Sequence, residues 1–165
     1  MEKRLLSLTT KDTAVSAGKH NNILKIFLEE TLKELKYTAV DPNSIHKAVQ
    51  DPMHKQKLYA QKMCVGQSIY NTRRKCDFVL FNPAWANKLL FIECKWQAES
   101  GSVDEKFPYL IANINKHACD TIILLDGNGY KSGAKKWLCS QINGHLKGVY
   151  SMEEFTAEVI RGLLD

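Results

Sequence analysis

The sequence predicts an α/β fold: a mixed β-sheet flanked by helices on both faces, in a single domain of 165 residues. Three observations predict it. Residues 20–36, HNNILKIFLEETLKELK, set Leu24, Phe27, Leu28, Leu32 and Leu35 three and four apart, the stripe of an amphipathic helix. Residues 62–96 hold three strand-like segments separated by polar turns, the pattern of an antiparallel meander. TIILLD, residues 121–126, is a continuous apolar run of the kind found in strands covered on both faces.

The elements follow in chain order. Residues 1–18 are polar, end in Ser-Ala-Gly and read as a peripheral N-terminal arm. The first helix stops before Asp41-Pro42, a turn signal. Residues 43–61 are polar and Lys-rich and include a short second helix. KMCVGQSIY (62–70) reads as a strand, NTRRK (71–75) as a basic turn and CDFVLF (76–81) as a second strand. NPAWANK (82–88) is a turn centred on Asn82-Pro83, and KLLFIECKW (88–96) is the third strand. In GSVDEKFPYLIANINKH (101–117), Ser102 and Glu105 have the spacing of a capping box. Pro108 is expected to kink or restart that helix. After the strand at 121–126, GNGYKSG is a loop, AKKWLCSQI a short helix and GVYS a last edge strand. Ser151 and Glu154 form a capping box that opens the final helix, EEFTAEVIRGLL.

Composition narrows the function classes. Apolar residues at 44% and charged residues at 25% are ordinary globular usage and exclude a disordered chain. Lys plus Arg number 23 against 18 acidic residues, an excess that permits nucleic-acid binding without requiring it. The longest apolar runs, LLFI and IILL, fall far short of the roughly 20 residues that span a bilayer. With no apolar leader at the N-terminus, a cytoplasmic protein with no membrane partner is expected. Five cysteines with no C-x-x-C pair, and histidines without ligand spacing, argue against a zinc site or a disulfide framework.

The chemistry concentrates in LLFIECKWQ, residues 89–97. In an extended chain Glu93, Lys95 and Gln97 share one face, with Cys94 turned away. Burying such charges is costly unless they are paired or bind something. Asp77 lies in the neighbouring strand, and a hairpin brings the middle of one strand beside the end of the next. Two carboxylates then converge beside an ammonium. Mg²⁺ takes oxygen ligands and keeps several waters. Asp77, Glu93 and the Cys94 backbone carbonyl would supply the protein oxygens, with Mn²⁺ as a substitute metal. Such a metal polarises a phosphate oxygen and activates a water. Lys95 would hold that water or offset charge on the phosphorane. Gln97 would orient the water or the scissile phosphate.

The D77…E93-C94-K95 pattern resembles the D…(D/E)-x-K signature of the PD-(D/E)XK phosphodiesterase superfamily. That group includes type II restriction endonucleases, homing endonucleases and repair nucleases. The likeness covers residues 20–126, and the stretch RRKCDFVLFNP…LLFIECKWQAESGSVDEKFPY is similar to a restriction-endonuclease-like branch. The resemblance implies an αβββαβ core, the order read above. It also implies Mg²⁺-dependent cleavage of DNA to 5′-phosphate and 3′-hydroxyl ends. Cys76 stands where the family usually has Pro. A Glu on the first helix often joins the metal in these enzymes. Glu29 fits through L-E-x-x-L-x-x-L, and Glu30, on the other flank of the stripe, is its rival.

Arg73, Arg74 and Lys75, in the turn before Asp77, would grip flanking phosphates. Lys106 stands at a helix N-terminus suited to phosphate, although Asp104 and Glu105 already occupy that end. DGNGYKSGAKK only imitates a nucleotide loop. Ser132 replaces the last glycine of G-x-G-x-x-G, and Ala134 follows Gly133 where a P-loop needs Lys. The expected substrate is double-stranded DNA. The chain would cut it as a homodimer or beside a larger partner subunit, as a type II restriction endonuclease or its small catalytic subunit. A repair or junction-resolving nuclease, and a non-catalytic DNA-binding module with the same fold, are the alternatives.

Overall fold

Leu24, Phe27, Leu28 and Leu32, the stripe that marked the first helix, are all buried. They belong to α1 (Ala17–Glu34) in a computed structural model that describes residues 17–97 and 103–165. The two-residue β1 (Thr38–Ala39) follows, then α2 (Pro42–Gln50). The Asp41 side chain caps α2 by accepting from the backbone N–H groups of Asn43 and Ser44, with Pro42 in the first turn. Then come β2 (Leu58–Gln67), β3 (Arg73–Phe81), β4 (Leu89–Trp96), α3 (Val103–His117), β5 (Thr121–Asp126), α4 (Ser132–Ser140), β6 (Leu146–Tyr150) and α5 (Met152–Ile160).

The strands form one mixed sheet in the order β1-β2-β3-β4-β5-β6. The meander β2-β3-β4 is antiparallel, and β1, β5 and β6 pair parallel to their neighbours. One face carries α1 and α5, whose Phe27, Leu28 and Phe155 pack on Phe78, Leu80, Ile92 and Leu124. The other carries α2 over Val79, Phe81 and Phe91, and α3 with α4 over Ile123 and Leu125. β5 is thus covered on both sides, as its unbroken apolar run predicted. The Ser151–Glu154 capping box is present. Ser102 lies outside the described residues.

Several boundaries differ from the sequence expectation. The first meander strand begins at Leu58 and ends at Gln67, and Arg73, Arg74 and Lys75 open β3 rather than forming a turn. The connection is shorter: the Ser68 N–H donates to the Thr72 carbonyl at 2.8 Å, and Asn71 adopts a φ of 58°. The reason lies in pairing. β3 leaves β4 after Phe78↔Ile92 but stays paired with β2 as far as Gln67↔Arg73. A two-stranded ribbon outside the sheet has little to bury, so its charged residues show no apolar alternation. Pro108 does not break α3, which runs on to His117, because a proline this near the N-terminus removes a single early hydrogen bond.

One irregularity positions the site. β2 and β3 pair at Gln61↔Phe78 and again at Met63↔Cys76. Between those pairs stand Lys62, with a φ of 49°, and Asp77. The alternation skips a residue here in both strands. Ala60 and Met63 face the same core, and so do Val79 and Cys76.

Phe78 is fully buried beside this kink and stacks on Tyr59 with ring centroids 6.1 Å apart. Phe78→Ala is expected to cost about 3–5 kcal/mol. Urea unfolding should show a lower midpoint with an unchanged slope.

Candidate active site

Where β3 and β4 part, Asp77 fills the gap. The Cys94 N–H donates to Asp77 Oδ2 at 3.0 Å, in place of a ladder bond. In an extended strand the N–H and C=O of one residue point to the same side, so the Cys94 carbonyl faces the same gap. The Cys94 side chain turns to the α1 face, where burial raises its thiol pKa well above the ordinary value.

Four more charged groups gather here. Lys95 Nζ lies 2.9 Å from Glu93 Oε2 and 3.5 Å from Asp77 Oδ2. Lys25 Nζ, from α1, lies 3.5 Å from Asp77 Oδ1. Arg74 Nη2 donates to Glu93 Oε1 at 2.6 Å, and these two side chains are only 9% and 6% exposed. Burial disfavours the Lys95 ammonium, but the Glu93 and then the Asp77 carboxylates outweigh it and hold its pKa above the ordinary lysine value. Lys95 is therefore a cation in the absence of metal.

The arrangement fits a hard divalent ion. An oxygen of each carboxylate lies within 3.5 Å of one point, the Lys95 nitrogen, so the site already seats a positive charge between them. Among the described residues no three His, Cys, Asp or Glu side chains cluster to hold a metal. Mg²⁺ does not need three, since one or two carboxylates with water and substrate oxygens suffice.

The other predicted residues are placed as follows. Gln97 is buried and serves the loop after β5: its Nε2 donates to the Gly129 carbonyl at 3.1 Å, and the Gly129 N–H returns to the Gln97 carbonyl at 2.8 Å. Gly127 makes this docking possible, for its φ is 97° and a Cβ there would lie 2.2 Å from the Gln97 oxygen. Glu29 accepts from Gln61 Nε2 and is not gathered with Asp77 and Glu93. Glu30 is exposed. Arg73, Lys75 and Lys106 are exposed, but Arg74 is turned inward onto Glu93 instead of outward as a phosphate grip. Lys25 was missed, since a lone lysine beside a helical stripe looks like any solvated residue.

The element order, and a D…E-x-K set where the central strands part, define a nuclease-type core. A family model described as the PD-(D/E)XK nuclease superfamily domain matches residues 16–163. The chain belongs to the PD-(D/E)XK nuclease superfamily. This is a domain of phosphodiester hydrolases, which act on nucleic acid and typically use a divalent metal. Comparisons with curated proteins and with solved structures gave no match. No helix among the described residues is long and apolar enough to cross a membrane.

Two outcomes test this geometry. Arg74→Met should cost about 3 kcal/mol, because it leaves a buried carboxylate half-paired, and Arg74→Met combined with Glu93→Leu should recover most of that loss. Denaturant unfolding of both variants checks it, and a single variant as stable as the parent contradicts it. Gly127→Ala should cost at least roughly 1–3 kcal/mol, seen as a lower Tm, because its Cβ would strike the β4 backbone.

Proposed function

We propose that the protein is a Mg²⁺-dependent endonuclease acting on double-stranded DNA, of the restriction type, either complete as a homodimer or the small catalytic subunit beside a larger partner. The observation that carries this reading is the Lys95 ammonium seated between Asp77 and Glu93 where β3 leaves β4.

Asp77, Glu93 and the Cys94 carbonyl would hold Mg²⁺ or Mn²⁺, which when bound supplies Lewis-acid polarisation of a phosphate oxygen and an acidified water. The remaining roles belong to this chain. Lys95, relieved of bridging the carboxylates, offers its N–H donors to the attacking water and to the charge that grows on the phosphorane. Arg74 and Lys25 hold Glu93 and Asp77 in place from the sides away from Lys95. Gln97, whose Nε2 ties the end of β4 to the Gly129 carbonyl, would orient the water or the scissile phosphate from that fixed position. Arg73 and Lys75, both exposed, would contact flanking phosphates, as would the exposed Lys106 on α3.

Plasmid incubated with Mg²⁺ should be nicked or linearised, and EDTA should abolish this. Asp77→Ala and Lys95→Ala should each lower the rate about 100-fold or more. A nicked circle alone points to a half-enzyme lacking its companion. Undiminished cleavage by Asp77→Ala contradicts the mechanism. Binding that survives EDTA, with no cleavage under any divalent metal, would mark a non-catalytic DNA-binding module. Preferential cutting of branched substrates would mark a repair nuclease.

A further inference from the structure

The turn between β2 and β3 is held with more care than a hairpin tip needs. Lys116 Nζ, from α3, donates to the Ser68 carbonyl at 2.7 Å. The Ile69 N–H donates to Asn113 Oδ1 at 2.9 Å, and the buried Asn113 is itself fixed by donating to the Tyr109 carbonyl at 2.7 Å. Within the turn, the hydroxyls of Ser68 and Thr72 are bonded at 2.8 Å. What this rigid turn presents to solvent is a large aromatic ring. Tyr70 is 71% exposed, yet its ring lies on Tyr109 with centroids 5.2 Å apart and planes 20° from parallel.

The pair stands at the turn that opens β3, the strand that carries Arg74 and Asp77. Tyr109 is tied to the turn through Asn113, which donates to its carbonyl and accepts from the Ile69 N–H, and further along β3 the Arg74 Nη2 reaches Glu93 at 2.6 Å. Cations flank the turn: Arg73 and Lys75 follow it as exposed residues, and Lys116 touches it. Backbone and amide bonds already secure the turn, so the exposed ring adds little beyond its stack on Tyr109 and leaves apolar surface in water. A rigid aromatic face among cations matches the chemistry of a nucleobase, whose π-face stacks on aromatic side chains while its phosphates meet Lys and Arg. Bases in a duplex do not offer that face, so the occupant must be out of the stack.

We propose that Tyr70, backed by Tyr109, is a stacking platform for one unpaired base of the bound nucleic acid. This rests on the nuclease reading and sharpens its substrate class. The nucleotide is either extruded from duplex by the enzyme or already unpaired, as at a bulge, a branch or a single strand.

The test is binding in EDTA, where no cutting occurs. Fluorescence anisotropy would follow three labelled oligonucleotides: a single strand, a duplex with one bulged base, and a perfect duplex. Tyr70→Ala should weaken binding of the bulged and single-stranded probes roughly 5- to 150-fold. Tyr70→Phe should retain parental affinity, since the ring and not the hydroxyl stacks. The dependence on salt should be unchanged, since no charge is removed. An equal loss with perfect duplex assigns the platform to an extruded base, and no loss there assigns it to one unpaired beforehand. The Tm of Tyr70→Ala should fall only slightly, by the loss of one exposed ring pair. Parental binding of every probe by Tyr70→Ala, or an equal loss in Tyr70→Phe, overturns the proposal. Plasmid cleavage by the same preparations keeps the two readings apart. A cutting protein indifferent to Tyr70→Ala loses only the platform, and a protein that stacks bases without cutting loses only the nuclease reading.

Discussion

The acceptance of the Cys94 N–H by the Asp77 carboxylate, at 3.0 Å, is the contact on which the rest of the site depends. A backbone N–H at the centre of a sheet needs a partner, and an orphan there is costly. Here the partner is a side chain because the neighbouring strand has moved away. The cause is the skipped residue at Lys62 and Asp77, which carries Asp77 out of the regular rows and ends the β3–β4 ladder at Phe78↔Ile92. The gap so made opens the middle of the sheet to polar chemistry. The Cys76 thiol helps to close its floor, pointing at the Phe78 and Ile92 carbonyls at 3.2 and 3.6 Å. A proline, the usual family residue at this position, has no such donor.

The charges around the gap make poor sense as stabilising elements. An apolar cluster of similar volume would hold a sheet together as well or better, because buried ion pairs recover little beyond their desolvation cost. What the cluster secures is placement. Arg74 fixes one oxygen of Glu93 and Lys95 the other, while Lys25 reaches Asp77 from α1. Each carboxylate is thereby held in one orientation before a metal or substrate arrives, so little reorganisation remains for the chemical step. Three cations facing two carboxylates also leave the pocket with a positive excess, which suits a phosphate diester.

The sequence disclosed whatever depends on periodicity. The stripe of α1, the doubly covered β5 and the shared face of Glu93 and Lys95 each follow from a repeat of 3.6 or 2. It concealed whatever depends on breaking that repeat. The left-handed backbone at Lys62 has no sequence mark, because lysine is not a residue that announces such a conformation. Arg74 looked like one more cation in a basic turn, and only the ribbon beyond the sheet shows that its neighbours face solvent while it turns to Glu93. Gln97 sits two residues beyond Lys95, and spacing alone did not reveal that its Nε2 donates to the Gly129 carbonyl of the glycine loop after β5. β1, with two residues, is too short to leave a pattern.

These strands converge on one claim: the parting of β3 from β4 builds a seat in which the oxygens of Asp77, Glu93 and the Cys94 carbonyl share a single cation. Anomalous diffraction from a crystal soaked in Mn²⁺ tests it most directly. The account predicts one peak between Asp77 and Glu93, with Lys95 displaced from its bridging position and metal–oxygen distances close to the about 2.0–2.1 Å of a small hard ion. A crystal that takes up Mn²⁺ elsewhere while Lys95 still bridges the two carboxylates would contradict it.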